Sequence, residues 1–207
     1  MPISPAPVGA SRAGVASVKR GAAVLSAVLL FGHGSPLQAA PAEVSSQPSS
    51  QELRAQVLSL LDQADALPPY GSRWQPLGPA ALGVLEELAS NPKAPAPQRV
   101  RAVTSIAAVD HPQAADYLRS LLGNAHNQPP LRASAATALS LRDGSEAIPT
   151  LLPFLQDRDG NVRVAVARAL GRLGGAQVQQ ALEERIPEEA DPLVREALQQ
   201  GLTFIQP

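Results

Sequence analysis

The chain has 207 residues, of which 44% are hydrophobic but only 3% aromatic, with a formal net charge of −1 and no cysteine. That length holds one ordinary domain and a leader, and so few aromatic residues disfavour a β-sandwich or barrel, leaving alanine, leucine and valine to pack helices. The lack of cysteine excludes disulfides, thiolate zinc sites, a cysteine nucleophile and a lipidated cysteine; the 14 basic against 18 acidic side chains of residues 43–207 argue against nonspecific nucleic-acid binding.

In chain order the first feature is a leader. Lys19 and Arg20 precede the apolar stretch GAAVLSAVLLFG at 21–32, and the small-residue run Gln38-Ala39-Ala40-Pro41-Ala42 follows. This is the order of a secretory signal peptide. The stretch is shorter than the ~20 apolar residues of a transmembrane helix. Residues 1–42 are therefore expected to be a signal peptide, with an uncleaved membrane anchor as the lesser alternative. Cleavage after Ala42 fits an A-x-A site best, and cleavage after Ala39 comes second. Residues 43–50 are expected to be a flexible linker with little to bury. Cleavage would leave no stable membrane span, and the product would be periplasmic or secreted.

Residues 51–96 are expected to form an irregular helical pair capping the end of a stack. Leu53, Val57, Leu60, Leu61 and Ala64 recur at helical spacing over 51–66, and 79–90 is a second apolar helix. Between them the segment LPPYGSRWQPLG carries Tyr70 and Trp74. In a Pro/Gly-rich loop such aromatics are either exposed anchors for a partner or part of the cap, and both readings stand equally.

An internal repeat then announces itself. Val100-Arg101, Leu131-Arg132, Val162-Arg163 and Val194-Arg195 recur at near-constant intervals. Behind Val162 a helical stripe runs through Ala165, Val166, Ala169, Leu170 and Leu173. The same stripe follows the other three pairs, with small residues at Val103, Ser134, Ala165 and Ala197 and again at Ala107, Ala138, Ala169 and Gly201, which suits close helix stacking. Second helices are expected over 112–122, 145–156 and 176–186. Ser145, Asp159 and Asp191 are candidate N-caps, and Pro153 should bend or shorten its helix. The repeats run over about 97–126, 128–157, 159–188 and 191–207, so the expected fold is all-α: an α-solenoid of stacked antiparallel helix pairs.

The segment DRDGNVRVAVARALGRLG resembles the short HEAT repeats shared with phycocyanobilin lyase subunits, and the resemblance covers residues 97–205. It implies a ladder in which an acidic residue six positions before each arginine pairs with it between repeats. Asp157 with Arg163 fits this and Glu189 with Arg195 fits in part, whereas Arg101 has Pro95 and Arg132 has His126 in the acidic position.

Catalytic chemistry finds no foothold in these residues. His33 lies in the leader, and His111 and His126 fall in expected turns without ligand-spaced neighbours. Adjacent pairs such as Glu183-Glu184 point to different helix faces. The favoured reading is a non-enzymatic, cofactor-free, exported interaction or scaffold module for an unidentified protein partner. Its second helices would offer Asp116, Arg119, Gln156, Gln177, Gln180 and Glu184. A bilin-lyase-like enzyme or accessory subunit is the competing reading that the resemblance implies.

Overall fold

The computed structural model describes residues 49–63 and 74–205. The expected signal peptide, most of the expected linker and Tyr70 lie outside the described residues. Helix α1 (Ser50–Asp62) begins one residue earlier than a linker ending at residue 50 would allow, with Ser49 as its N-cap. Ser49 and Glu52 form a reciprocal capping box, so the last linker residues belong to the helix start. Leu53, Val57 and Leu61 are the buried face of α1. Helix α2 (Ala81–Ser90) buries Ala81, Leu82, Leu85, Leu88 and Ala89. Trp74 is only 4% exposed and belongs to the apolar core, so of its two sequence readings the structure gives the cap and not the exposed anchor.

Beyond α2 the chain alternates first and second helices: α3 (Ala96–Ile106) and α4 (Gln113–Gly123), then α5 (Pro129–Asp143) and the shorter α6 (Ile148–Leu151), then α7 (Gly160–Leu173) and the shorter α8 (Ala176–Arg185), and lastly α9 (Pro192–Ile205). Every described element is helical or a turn, and α3, α5, α7 and α9 pack in series, which is consistent with an α-solenoid. None of the described helices is long and apolar enough to cross a membrane.

Proline and glycine set the element boundaries. Pro153 ends α6 after one turn, and residues 152–156 continue as a 3-10 helix, because proline removes a hydrogen-bond donor and clashes with the preceding turn. Gly144, at φ 57, turns the chain into a 3-10 turn, Gly144–Ala147, that runs straight into α6. Ser145 therefore lies within that turn and makes no capping bond, contrary to expectation. The two aspartates do cap. Asp159 accepts from the Asn161 and Val162 N–H groups, and Asp191 accepts from the Leu193 N–H at 2.9 Å.

The register of the first repeat also differs from the dipeptide reading. In α5 the buried positions include Leu131, Arg132, Ala135, Ala136, Ala138 and Leu139. In α7 they include Val162, Val166, Ala167, Ala169 and Leu170, which is 31 residues on, as expected. In α3 they are Ala102, Val103, Ser105 and Ile106, which match Ala135, Ala136, Ala138 and Leu139 at an offset of 33. The position equivalent to Arg132 is thus Arg99, while Val100 is half-buried and Arg101 carries a buried Nε without a partner. The cause lies at the helix start. Pro95 and Pro97 place the first turn of α3, and the apolar run that packs begins at Ala102.

Small residues mark the helix crossings. A Cβ on Gly171 would stand 2.4 Å from the Gly201 Cα, so α7 and α9 touch backbone to backbone. Leu193 and Phe204 are the large apolar residues most exposed among those described, at register positions filled by Asn161 and Arg172 one repeat earlier.

Candidate functional site

Two features are built on this frame: a groove on the second-helix face and a line of arginines between repeats. The groove lies between the 152–156 segment and α8 and has a volume of about 450 Å³. Leu152, Leu155 and Ala181 supply its apolar part, and Gln156, Gln177, Gln180 and Glu184 line it with polar groups. All four are exposed, so four of the six candidates named on the second helices meet at one site. Gln180 donates from Nε2 to Glu184 Oε1 at 2.8 Å, which leaves the other carboxylate oxygen free for a partner. Arg185 forms one wall but is already engaged. Its Nε donates to the Leu155 carbonyl at 3.1 Å, and its Nη2 donates to Glu189 at 2.8 Å.

Asp116 and Arg119 stand apart from this groove. Arg119 donates to Asp116 at 2.9 Å and to Asp143 at 2.7 Å, so its head ties α4 to the end of α5. Asp116 and Arg119 are both exposed, and such pairs contribute little to stability. Of the two loop aromatics, Trp74 is buried and Tyr70 lies outside the described residues. His111 serves a local role, its Nδ1 accepting from the Gln113 N–H at the start of α4.

The arginine line runs forward along the chain as well as back. Arg132, 3% exposed, donates from Nε to the Leu122 carbonyl at 2.9 Å and forks both Nη groups onto the Asp157 carboxylate, the Nη1 bond being 3.0 Å. Arg163 repeats the fork on Glu189 at 2.8 and 3.0 Å, and its Nη1 donates to the Asp157 carbonyl at 2.8 Å. Arg195 donates to the Glu189 carbonyl. For Arg163 and Arg195 the residue six places back is therefore joined to the arginine through its backbone, while its carboxylate serves the arginine of the preceding repeat. This forward partner, 25 or 26 residues downstream, is what sequence reasoning missed. The signal was present in the spacing of Arg132 to Asp157 and of Arg163 to Glu189.

Both carboxylates are tuned by this arrangement. Burial opposes ionisation of Asp157. The hydrogen bonds from Arg132 and the Asp159 N–H, with the charges of Arg132 and Arg158, outweigh that and hold its carboxyl below the ordinary value. Burial likewise opposes Glu189, and the Arg163 fork, the Asp191 N–H and the charges of Arg163 and Arg185 bring it below its ordinary value. A carboxyl lowered by folding contributes its stability in full above the unfolded pKa and loses it as pH falls through the folded one. The stability contributed by these two groups should therefore stay level from about pH 7 to about pH 5 and decline below about pH 4. Asp157→Asn should lower stability near neutrality and flatten that acid limb, as urea midpoints measured across the range will test.

Comparison with known proteins adds one match. No curated protein matches the chain. Residues 125–203, which span the part of the chain where the ladder is complete, match the family model described as HEAT repeats, and this match supports a HEAT-repeat family for the chain.

Proposed function

We propose that this chain is a non-enzymatic interaction or scaffold module that holds a protein partner on its second-helix face after export to the bacterial envelope. One observation supports the binding face above others. Gln156, Gln177, Gln180 and Glu184 converge, exposed, around the half-buried Leu152 and Ala181 and the buried Leu155. Amide side chains carry both donors and acceptors, so they can satisfy the backbone of a docked segment, while the apolar part takes a side chain. Export rests on the basic, apolar and small-residue order of residues 19–42.

The test is a photo-crosslinking amino acid placed at position 177, with position 168 on the exposed side of α7 as the control, in cells making the full chain. A discrete protein adduct from 177 and none from 168 supports the reading. Equal labelling at both positions, or none at either, overturns it. N-terminal sequencing of the adduct reads out leader cleavage in the same experiment. The bilin-lyase-like reading, carried by the repeat type alone, predicts instead an absorbance change when the chain is mixed with a bilin and an acceptor protein.

A further inference from the structure

The ladder is incomplete at its first rung, and the gap has a defined chemistry. Arg99 occupies the α3 position equivalent to Arg132. Its Nε donates to the Ala89 carbonyl, ten residues back at 3.0 Å, just as Arg132 Nε donates to the Leu122 carbonyl, also ten residues back. The two guanidinium groups are therefore held the same way at one edge. The other edge differs. Arg132 forks onto Asp157 and Arg163 onto Glu189, whereas the Arg99 Nη1 meets only the neutral Gln128 Oε1 at 3.1 Å. Among the described residues Arg99 has no carboxylate within salt-bridge distance. Two positions before the cap, where Asp157 and Glu189 stand in the later repeats, the chain has His126, which is exposed.

Beside this uncompensated fork lies a pocket of about 250 Å³ between α2, α4 and the start of α5. Arg99 lines it together with Ser90, Tyr117, Ser120 and Asn127, and Leu121 and Leu131 add apolar surface. Burial pushes the Tyr117 phenol up, so it remains a neutral hydroxyl. A planar guanidinium fork with hydroxyls alongside matches a carboxylate, and the volume leaves room for a stem of a few carbons. The molecule thus shows twice, at Asp157 and Glu189, what its first repeat lacks.

We infer that the Arg99 pocket binds a carboxylate supplied from outside the chain, on a short apolar stem. The source is either an acidic side chain of a docked polypeptide or a free short-chain carboxylate. The inference rests on the ladder and not on the groove beside α8, so either can fail alone.

The full chain, labelled with ¹⁵N, is titrated with sodium propionate and separately with a capped tripeptide bearing a central glutamate, against sodium chloride at matched ionic strength, following the Arg99 Nε–H resonance. A saturable shift is expected, with half-saturation on the order of 1–10 mM for the better ligand. Tighter binding of the tripeptide assigns the site to a polypeptide side chain, and equal or tighter binding of propionate assigns it to a free carboxylate. Gln128→Glu places an internal carboxylate on the side chain already touching Arg99 and leaves the rest of the rung intact. It should weaken both ligands by about tenfold or more. A shift that never saturates, one that chloride reproduces, or binding unchanged in Gln128→Glu overturns the assignment.

Discussion

Arg132→Ala is expected to destabilise the chain by about 3–5 kcal/mol, the range for removing one partner of a buried ion pair. Arg132 and Asp157 are 3% and 8% exposed, so the variant leaves a carboxylate facing the interior with only the Asp159 N–H to satisfy it. The Leu122 carbonyl loses its donor as well. The loss has a pH signature that simple side-chain truncation lacks. Without the guanidinium burial is opposed only by the Asp159 N–H and the Arg158 charge, so less of the variant's stability depends on this carboxylate staying ionised, and the gap from the parent narrows below about pH 4. Urea unfolding near neutrality and in acid measures both. The pair Arg132→Ala with Asp157→Ala should cost less than the two single changes added together, because the single change strands a charge that the double change removes. Strict additivity would show that the pair contributes nothing specific.

Gly171→Val should cost about 3 kcal/mol, at the upper end of the usual overpacking range. The obstacle is backbone: an added Cβ lies 2.4 Å from the Gly201 Cα and 3.1 Å from the Gly201 carbonyl carbon. No rotamer relieves that contact, so α9 has to lift away from α7. Gly201→Ala tests the same crossing from the other side with a smaller effect. Its Cβ meets the Leu182 Cδ1 at 3.0 Å, the end of a flexible side chain, and the Ala167 carbonyl oxygen at 3.2 Å, a milder backbone contact than the one at Gly171. The gain in helix propensity from glycine to alanine, roughly 1 kcal/mol, offsets much of the strain. Amide hydrogen exchange should show α9 losing protection in Gly171→Val and keeping it in Gly201→Ala. Equal behaviour of the two variants would contradict the observed asymmetry.

Much of this architecture is legible in the sequence because helices declare themselves locally. The stripe from Val162 to Leu170, the caps at Asp159 and Asp191 and the break at Pro153 each depend on residues within a few positions. The exposure of Gln156, Gln177, Gln180 and Glu184 follows from the same periodicity. What stayed hidden is non-local. The Val-Arg dipeptide puts Arg101 in register with Arg132, but the proline-set start of α3 moves the buried stripe by two positions and makes Arg99 the equivalent residue instead. The forward pairing of Arg132 with Asp157 could not be chosen over pairing with a residue six back until the repeats were stacked. Ser145 has the residue type of a cap, but the positive-φ turn at Gly144 places it inside a 3-10 turn. The sequence leaves Trp74 open between anchor and cap because a loop's direction depends on what lies beneath it.

The ladder has a further consequence for how the array holds together. Each tie joins only neighbours, so the stack behaves as a row of units whose cohesion is the sum of adjacent couplings. Those couplings are unequal. The boundaries from α5 to α9 each carry a forked, largely buried ion pair. The α3–α5 boundary relies on the neutral Arg99–Gln128 contact, on Arg142 donating to the Val109 and His111 carbonyls, and on the partly exposed Arg119–Asp143 pair. A pull applied along the array, from tension or from a translocating protease, would part the α3–α5 boundary before the boundaries from α5 to α9. Everything from Pro129 to Ile205 would remain behind as one cohesive block.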